Sequence, residues 1–239
     1  MKLFGDAAAS VHRVFVVAAH SDDDTIGCGG TMSKLARAGA SLAVAYLTDG
    51  SRSHPGSRRY PPPAIRDLRE REAVAALTEL GVTCVPEFFG LPDGGLAQLS
   101  SAQCEAASAR LASSLASFAP DLVLVPWRRD PHPDHAACAV LARIALARAR
   151  SRVPVAEYEV WLPIRGTELQ RPRPGEVRTC EFALDAEALV RNRAALLEHR
   201  SQTSDLIDDD PEGFRIGPEL LERWLGPTER FHFDYGSAG

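Results

Sequence analysis

Two short segments of the sequence concentrate the side chains that could do chemistry. The first, residues 20–24, reads HSDDD, and the second, residues 130–135, reads DPHPDH. Three successive carboxylates beside an imidazole repel one another unless a cation or hydrogen-bond donors compensate. Neutral imidazoles and a carboxylate, with one position left for water, are also the ligands that a catalytic zinc site requires. We therefore predict that the two segments together form the metal site of a zinc-dependent hydrolase.

Each segment alone also has a purely structural interpretation. An aspartate of the first segment could cap the following helix or lie solvated in a loop. In the second segment, His132 and His135 could be polar residues at a helix start, with Asp134 acting only as a cap. The metal site is favoured because the two segments occur together. For Asp24 and Asp134 individually, capping or support of the metal ligands is a sufficient explanation.

Both segments directly follow predicted strands. Residues 11–19 and 121–126 are rich in β-branched and other apolar residues without strict alternation, which is typical of strands buried on both faces of a parallel sheet. The carboxyl ends of such strands meet at one edge of the sheet, where a ligand crevice forms. We therefore expect the segments to converge, although about a hundred residues separate them in the sequence.

Alternating strand-like and helix-like patterns predict the fold class, a Rossmann-like α/β sandwich with a mostly parallel sheet flanked by helices. We expect residues 1–160 to form this core and residues 161–239 to form an irregular extension of the same single domain. The predicted strands span residues 11–19, 41–47, 82–89, 121–126, 158–161 and 179–183. The predicted helices span residues 31–38, 65–80, 103–118, 136–150 and 186–200.

A glycine-rich stretch after the first strand offers an alternative, a dinucleotide or adenosyl-methionine site. Gly27, Gly29 and Gly30 are followed by Asp49 at the spacing of such a fingerprint. The third glycine position is instead Met32, and the neighbouring aspartates would place negative charge where phosphates need a free helix N-terminus. We therefore interpret these glycines as allowing the backbone to pack closely behind the metal loop.

Composition limits the class of protein and its partners. Shares of 45% hydrophobic and 25% charged residues are ordinary for a soluble globular protein and exclude a disordered or fibrous chain. A net charge of -5 argues against nucleic acid or an anionic membrane as a partner. No apolar stretch approaches the roughly 20 residues that span a bilayer, and the N-terminus lacks a basic leader. Widely spaced cysteines without a C-x-x-C pair predict reduced thiols. We expect a cytoplasmic protein and leave homo-oligomer formation open.

These motifs resemble the PIG-L/LmbE-like family of zinc-dependent N-acetyl-sugar deacetylases. Family members carry a His-Pro-Asp-Asp-Glu loop after the first strand and a later His-Pro-Asp-His loop. Residues 20–24 and 132–135 match these loops, and residues 69–72, 91–94 and 199–202 match further landmarks. Two departures concern the shape of the first loop, since Ser21 replaces the usual proline and Asp24 the usual glutamate.

The resemblance implies a role for each matching residue. By it, His20, Asp23 and His135 bind Zn²⁺. Asp22 corresponds to the general base of the family, and His132, if protonated, stabilises the oxyanion.

The resemblance also implies contacts with an amino sugar. Arg69 and Asp93 match positions that contact the sugar in the family. The loop 51–59 and Trp127 either line the sugar pocket or are, respectively, a surface loop and a packed indole. We leave both interpretations open.

The implied activity is removal of the acetyl group from the amide nitrogen of an N-acetylglucosaminyl sugar or glycoconjugate. Because the metal chemistry does not name the acyl group, a zinc amidase, esterase or phosphoesterase acting on a non-sugar substrate is an alternative. A non-catalytic sugar- or nucleotide-binding protein with the same fold is another.

Overall fold

Seven strands form one sheet in a computed structural model that describes residues 11–234. Residues 1–10, on which part of the leader prediction rests, lie outside the described residues. The strand order is β3-β2-β1-β4-β5-β7-β6. The strands are β1 (Arg13–Ala18), β2 (Ser41–Thr48), β3 (Glu87–Leu91), β4 (Leu122–Pro126), β5 (Val155–Tyr158), β6 (Val177–Ala183) and β7 (Thr228–Asp234).

Helices cover both faces of this sheet, so the predicted mostly parallel α/β sandwich is confirmed. One core contains residues of α1, α2 and α6, and the other contains residues of α3 and α4. The helices are α1 (Asp23–Arg37), α2 (Pro62–Glu79), α3 (Ser101–Phe118), α4 (Pro133–Arg148), α5 (Leu162–Arg165), α6 (Ala186–Glu198), α7 (Arg200–Thr203) and α8 (Pro218–Trp224).

Strand β1 lies near the centre of the sheet and is buried on both faces. Val14 and Val16 point into one core, whereas Phe15 and Val17 point into the other. The strand pairs in parallel with β2 on one side and with β4 on the other. Strands β1 and β4 therefore end side by side, and the segments that follow them begin at the same edge of the sheet.

Two strand predictions are wrong in their bounds. The strand expected at 82–89 begins only at Glu87, because Pro86 has no N–H to donate to the neighbouring strand. The strand expected at 158–161 is β5, which ends at Tyr158. The charged residue Glu157 weakens the apolar pattern of this strand in the sequence. In the structure it is fully buried and accepts hydrogen bonds from Arg128.

The helices predicted from residues 31, 65, 103 and 136 all begin earlier in the structure, and two of these differences concern the site. Helix α1 starts at Asp23 and not near residue 31, and the low helix propensity of its glycines hid the first turns. These glycines have the predicted packing role, since a Cβ on Gly27 would lie 2.2 Å from the Tyr158 ring. Helix α4 starts at Pro133 and not at 136, which places His135 in its first turn.

The C-terminal part is more regular than predicted. Strand β7 was not expected, yet it pairs antiparallel with both β5 and β6 and so extends the same sheet. Its sequence TERFHFD mixes charged residues with Phe231 and Phe233, and this composition weakens the strand signal. One of the charged residues, Glu229, has a structural role, because its side chain contacts α1.

Glu229 stabilises a break inside α1. The backbone of Cys28 leaves helical geometry, with φ -150° and ψ 16°. Just beyond it, Gly30 and Thr31 donate their N–H groups to the Glu229 carboxylate at 2.7 and 2.8 Å. The carboxylate thus acts as a cap for the second half of the helix.

The remaining physical predictions concern cysteines and membranes. All five cysteines are free, as expected for reduced thiols. Between residues 11 and 234, no helix is both long enough and apolar enough to cross a bilayer.

Replacing Glu229 with alanine should lower the free energy of unfolding by about 2–4 kcal/mol, because two buried N–H groups lose their carboxyl acceptor. Glu229→Gln, which keeps one acceptor oxygen, should lose less. Denaturant titration of the three proteins measures the difference. Equal stability of wild type and the alanine variant would show that the cap is dispensable.

The same variants give a pH dependence with a defined sign. Burial raises the pKa of Glu229 to about 7 despite its backbone donors, whereas unfolding returns it to about 4.3. Ionisation therefore costs more in the folded state, and the advantage of wild type over Glu229→Gln should shrink between about pH 5 and 7. An advantage that grows with pH would contradict this assignment.

Candidate metal centre and active site

The loop after β1 and the first turn of α4 bring three ligand-type side chains together. His135 Nε2 lies 3.0 Å from Asp23 Oδ1 and 3.3 Å from His20 Nδ1. His20 Nδ1 lies 3.3 Å from Asp23 Oδ2. All three residues are buried. The segments that the sequence analysis expected to converge do so.

These separations and donor types suit a zinc ion. Bonds of about 2.0–2.2 Å at tetrahedral angles place the ligand atoms roughly 3.3–3.5 Å apart. The two 3.3 Å contacts lie at the lower limit of that range, and the 3.0 Å contact between His135 and Asp23 lies just below it. Two imidazoles and a carboxylate are also the donor set of a catalytic site that keeps an open position. The residues present therefore fit the metal.

Carboxylates on the far side of each imidazole fix its orientation. His20 Nε2 lies 3.2 Å from Asp93 and 3.4 Å from Asp134. His135 Nδ1 lies 2.9 Å from Asp130 Oδ1. With a proton on each of these outer nitrogens, the nitrogens that face Asp23 are left as bases, which is the tautomer that a metal ligand needs.

Asp130 is a supporting residue to which the sequence analysis gave no role. Its Oδ2 accepts the backbone N–H groups of Trp161 and Leu162 at 2.8 and 3.2 Å. One buried carboxylate therefore joins the imidazole of His135 to the start of α5. Its position within the DPHPDH segment was the available signal.

The electrostatics of the centre favour positive charge. Burial alone would disfavour a protonated His135, but Asp23 and Asp130 outweigh burial and raise its pKa to about 9. Burial likewise opposes ionisation of Asp23, yet the imidazoles of His135 and His20 hold its pKa well below the usual value. Protons or a divalent cation can satisfy the same carboxylates.

Within residues 11–234, two other groups of donors lie close enough to compete for a metal. One consists of His20, His132 and His135, and the other of His20, Asp93 and Asp134. We favour Asp23 because its oxygen makes the shortest contact with His135. The second group uses His20 Nε2, the outer nitrogen of that ring.

Asp22 lies next to the metal-type ligands and is paired with a buried arginine. Arg69 donates from Nη2 to Asp22 Oδ1 at 2.9 Å and from Nη1 to the Gly50 carbonyl at 3.1 Å. Arg69 and Asp93, the residues expected to contact the sugar, both line the same cleft. The pairing shows that Arg69 orients Asp22 in addition to facing the cleft.

His132 caps α4, and its surroundings favour the neutral imidazole. Its Nδ1 accepts the N–H of Asp134 at 3.2 Å, so the ring proton is carried by Nε2. Burial and then the neighbouring imidazoles lower its pKa to about 4. Both observations favour a neutral N–H donor at His132 over the protonated imidazole that was expected.

The two remaining aspartates of the segments do not cap helices through their side chains. Asp24 accepts the Tyr46 hydroxyl at 2.9 Å, and burial raises its pKa to about 7. Asp134 accepts the N–H groups of Gly94 and Leu96 at 2.7 and 3.0 Å. Of the two explanations considered for Asp134, support of the metal ligands is the one that its contacts with His20 favour.

A cleft of about 200 Å³ opens above the centre. Its lining includes the residues at and beside the metal-type ligands, which we call the floor: His20, Asp22, Asp23, Arg69, Asp93 and His132. We call a second group of lining residues the outer wall: Arg52, Ser53, Trp161, Arg165 and Phe214.

The residues that line the cleft decide between the interpretations left open for the loop 51–59 and for Trp127. The loop 51–59 does line the cleft, through Arg52 and Ser53. Trp127 does not, because it is fully buried against Leu162 and donates its indole N–H to the Gln170 carbonyl. Trp161 is the indole at the cleft. The sequence analysis placed it in a strand and so missed it.

Comparison with known proteins identifies proteins to which this chain is similar. Residues 15–146 match the model of the PIG-L family, described as GlcNAc-PI de-N-acetylase. A 1D-myo-inositol 2-acetamido-2-deoxy-alpha-D-glucopyranoside deacetylase of Mycobacterium sp. (strain KMS) is 32% identical over 164 residues. The alignment covers 60% of this chain and 53% of that relative, so the chain spans about half the relative's length.

Solved structures share the fold. The N,N'-diacetylchitobiose deacetylase of Pyrococcus horikoshii is 21% identical with a TM-score of 0.69, covering 94% of this chain and 84% of that one. The 4-carboxy-2-hydroxymuconate hydratase GalB of Pseudomonas putida is 20% identical with the same TM-score of 0.69, covering 93% and 95%. At such low identity these likenesses show the fold alone, and the fold serves more than one kind of chemistry.

Membership is decided by the family match, which covers more than half of the chain and contains both histidine segments. The chain belongs to the PIG-L family.

Proposed function

We propose that this protein is a zinc-dependent hydrolase that removes the acetyl group from the nitrogen of an N-acetylglucosaminyl sugar or glycoconjugate. The observation that carries the proposal is the convergence of His20, Asp23 and His135 beside Asp22 at the floor of a cleft. The deacetylases among its relatives support the sugar amide as substrate. The hydratase with the same fold means that the site, and not the fold, must support the reaction.

In this proposal His20, Asp23 and His135 hold the zinc ion. A bound zinc ion supplies Lewis acidity, which makes water easier to deprotonate near neutral pH and polarises the amide carbonyl. Asp93, Asp130 and Asp134 keep the two imidazoles in the required tautomer, so the site is preorganised before substrate arrives.

Asp22 acts as the general base. Arg69 occupies its Oδ1, and we assign Oδ2 to the proton of the attacking water. The water oxygen forms a bond to the acetyl carbonyl carbon, and the carbon–nitrogen bond then breaks. Asp22 returns the proton to the departing nitrogen, so the products are acetate and the free amine.

His132 donates its Nε2–H to the oxyanion that develops on the acetyl oxygen. The bond from the Asp134 N–H to Nδ1 holds the ring and its tautomer in place. A neutral donor of this kind stabilises the transition state without any proton transfer, and its loss typically costs about 10²–10³ in turnover.

Arg69 and Asp93 contact the sugar hydroxyls in this proposal. Both are buried and line the cleft floor. Asp93 is anchored by the Arg52 N–H at 2.8 Å, and His20 outweighs the effect of burial and lowers its pKa. An ionised acceptor beside a guanidinium donor suits a polyhydroxylated ring.

The activity is tested by acetate release from a panel of N-acetylglucosaminides, with zinc content measured on the same samples. We expect stoichiometric zinc and release of acetate from at least one sugar. Bound zinc with no release from any sugar, but hydrolysis of simple amides or esters, would favour the non-sugar alternative. A protein that binds a sugar without turnover would support the non-catalytic alternative.

Asp22→Asn should retain zinc and lose about 10²–10⁴ in kcat, because the amide cannot accept the water proton. Metal analysis and acetate release on the same preparation check both halves of the expectation. A variant without zinc would mean that Asp22 is itself a ligand.

His135→Ala should lose zinc, because one of three protein ligands is removed. His232→Gln is the control, since His232 is a buried imidazole paired with Glu159 at 2.8 Å and does not line the cleft. Full zinc occupancy in the His135 variant would refute the coordination scheme.

A further inference from the structure

Two loops that lie far apart in the sequence contribute to the outer wall of the cleft, beside Trp161 and Arg165. Residues 51–60 contribute Arg52 and Ser53, and residues 205–216 contribute Phe214. Neither stretch contains a helix or strand. The second loop also lies beyond residues 15–146, which the family model matches. How these loops hold one another therefore determines the shape of the wall.

Asp209 makes the principal connection. Its Oδ1 accepts the Ser57 hydroxyl at 2.7 Å. Its Oδ2 accepts the backbone N–H groups of Arg58 and Arg59 at 2.8 and 3.0 Å. One carboxylate thus satisfies three donors of the 51–60 loop, two of which belong to the backbone.

Asp210 and its neighbours complete the connection nearer the cleft. Asp210 Oδ2 accepts the Gly56 N–H at 2.7 Å, and Phe214 donates its N–H to the Ser53 carbonyl at 2.7 Å. Gly213 packs directly against the buried ring of His54, where a Cβ would lie 2.1 Å from Cδ2. These contacts therefore hold the two loops together beside the cleft.

These contacts replace the regular hydrogen bonding that the 51–60 loop lacks. A loop without helix or strand partners normally satisfies its N–H groups with water and samples several conformations. Here three backbone N–H groups are held by two carboxylates of the other loop. The cleft floor is fixed by the sheet, but the outer wall depends on this pairing.

We propose that Asp209 is a positioning residue for substrate specificity: it holds the 51–60 loop against the 205–216 loop, so that the outer wall contacts the part of the glycoside beyond the N-acetylated sugar. This inference rests on the proposed deacetylase function. Asp209 itself does not line the cleft and touches no reacting atom. The aromatic rings of Trp161 and Phe214 suit an apolar or aromatic aglycone at this wall.

The kinetic test compares free N-acetylglucosamine with its benzyl glycoside. For wild type we expect a lower KM for the glycoside. Asp209→Ala should raise that KM about tenfold, since bonds from a charged acceptor are lost. It should change kcat by less than about twofold and raise the KM for the free sugar much less than that for the glycoside, because Arg52 anchors Asp93 but the other floor residues have contacts outside the loop. Ser57→Ala, which removes one donor, should show a smaller shift in the same direction.

The matched control is Asp185→Ala. Asp185 also accepts a backbone N–H, that of Ala188 at 2.8 Å, and it does not line the cleft. It should leave both KM values unchanged. A folded, zinc-containing Asp209→Ala protein with wild-type KM for the glycoside would overturn the proposal, as would equal KM increases for both substrates.

Hydrogen exchange of the same variants provides a readout that needs no turnover. In Asp209→Ala the amides of Arg58 and Arg59 should lose protection, whereas in Asp185→Ala they should not. Unchanged protection would overturn the positioning role even if the enzyme is active. If no sugar is hydrolysed by wild type, the proposed function fails. The positioning role of Asp209 can then still be tested by binding of the benzyl glycoside. Binding about tenfold weaker to Asp209→Ala than to wild type would support that role, and equal binding would overturn it.

Discussion

Buried negative charge at the carboxyl edge of the sheet is the constraint on which the rest of this structure depends. Four carboxylates surround two imidazoles there, and their mutual repulsion requires positive charge at the centre. In each imidazole one nitrogen faces the centre and the other faces a supporting carboxylate. The residues of this cluster are His20, Asp23, Asp93, Asp130, Asp134 and His135. In the proposed scheme, a divalent cation held by three of them would satisfy the charge and leave the supporting contacts intact.

The fold can be understood as the arrangement that assembles this cluster. Parallel pairing of β1 with β4 places the two histidine segments side by side. Helix α4 begins immediately after His132, so His135 points back toward the centre from its first turn. Helix α1 packs closely against its surroundings because Gly27 faces Tyr158, Gly29 faces Asn192 and Gly30 faces Leu184. Glu229 from the last strand then caps the break that this packing creates.

Much of this could be predicted from the sequence, because the relevant signals are local. Runs of apolar residues marked the central strands, and the HSDDD and DPHPDH segments marked the donors. The supporting contacts could not be predicted in the same way, since they join residues that only the tertiary fold brings together. Asp130 accepts a hydrogen bond from Trp161, and Glu229 accepts one from α1, although these partners lie far apart in the sequence. The neutral state of His132 likewise follows from burial and from neighbouring imidazoles, which no sequence pattern displays.

The most direct test of the central claim is a crystal structure of the zinc-loaded protein with anomalous diffraction measured across the zinc absorption edge. We expect a single strong peak within about 2.0–2.2 Å of His20 Nδ1, Asp23 and His135 Nε2. We also expect Asp22 to remain paired with Arg69 and outside the coordination sphere. A peak on His20 Nε2 with Asp93 and Asp134, or one that includes His132 in place of Asp23, would contradict the account.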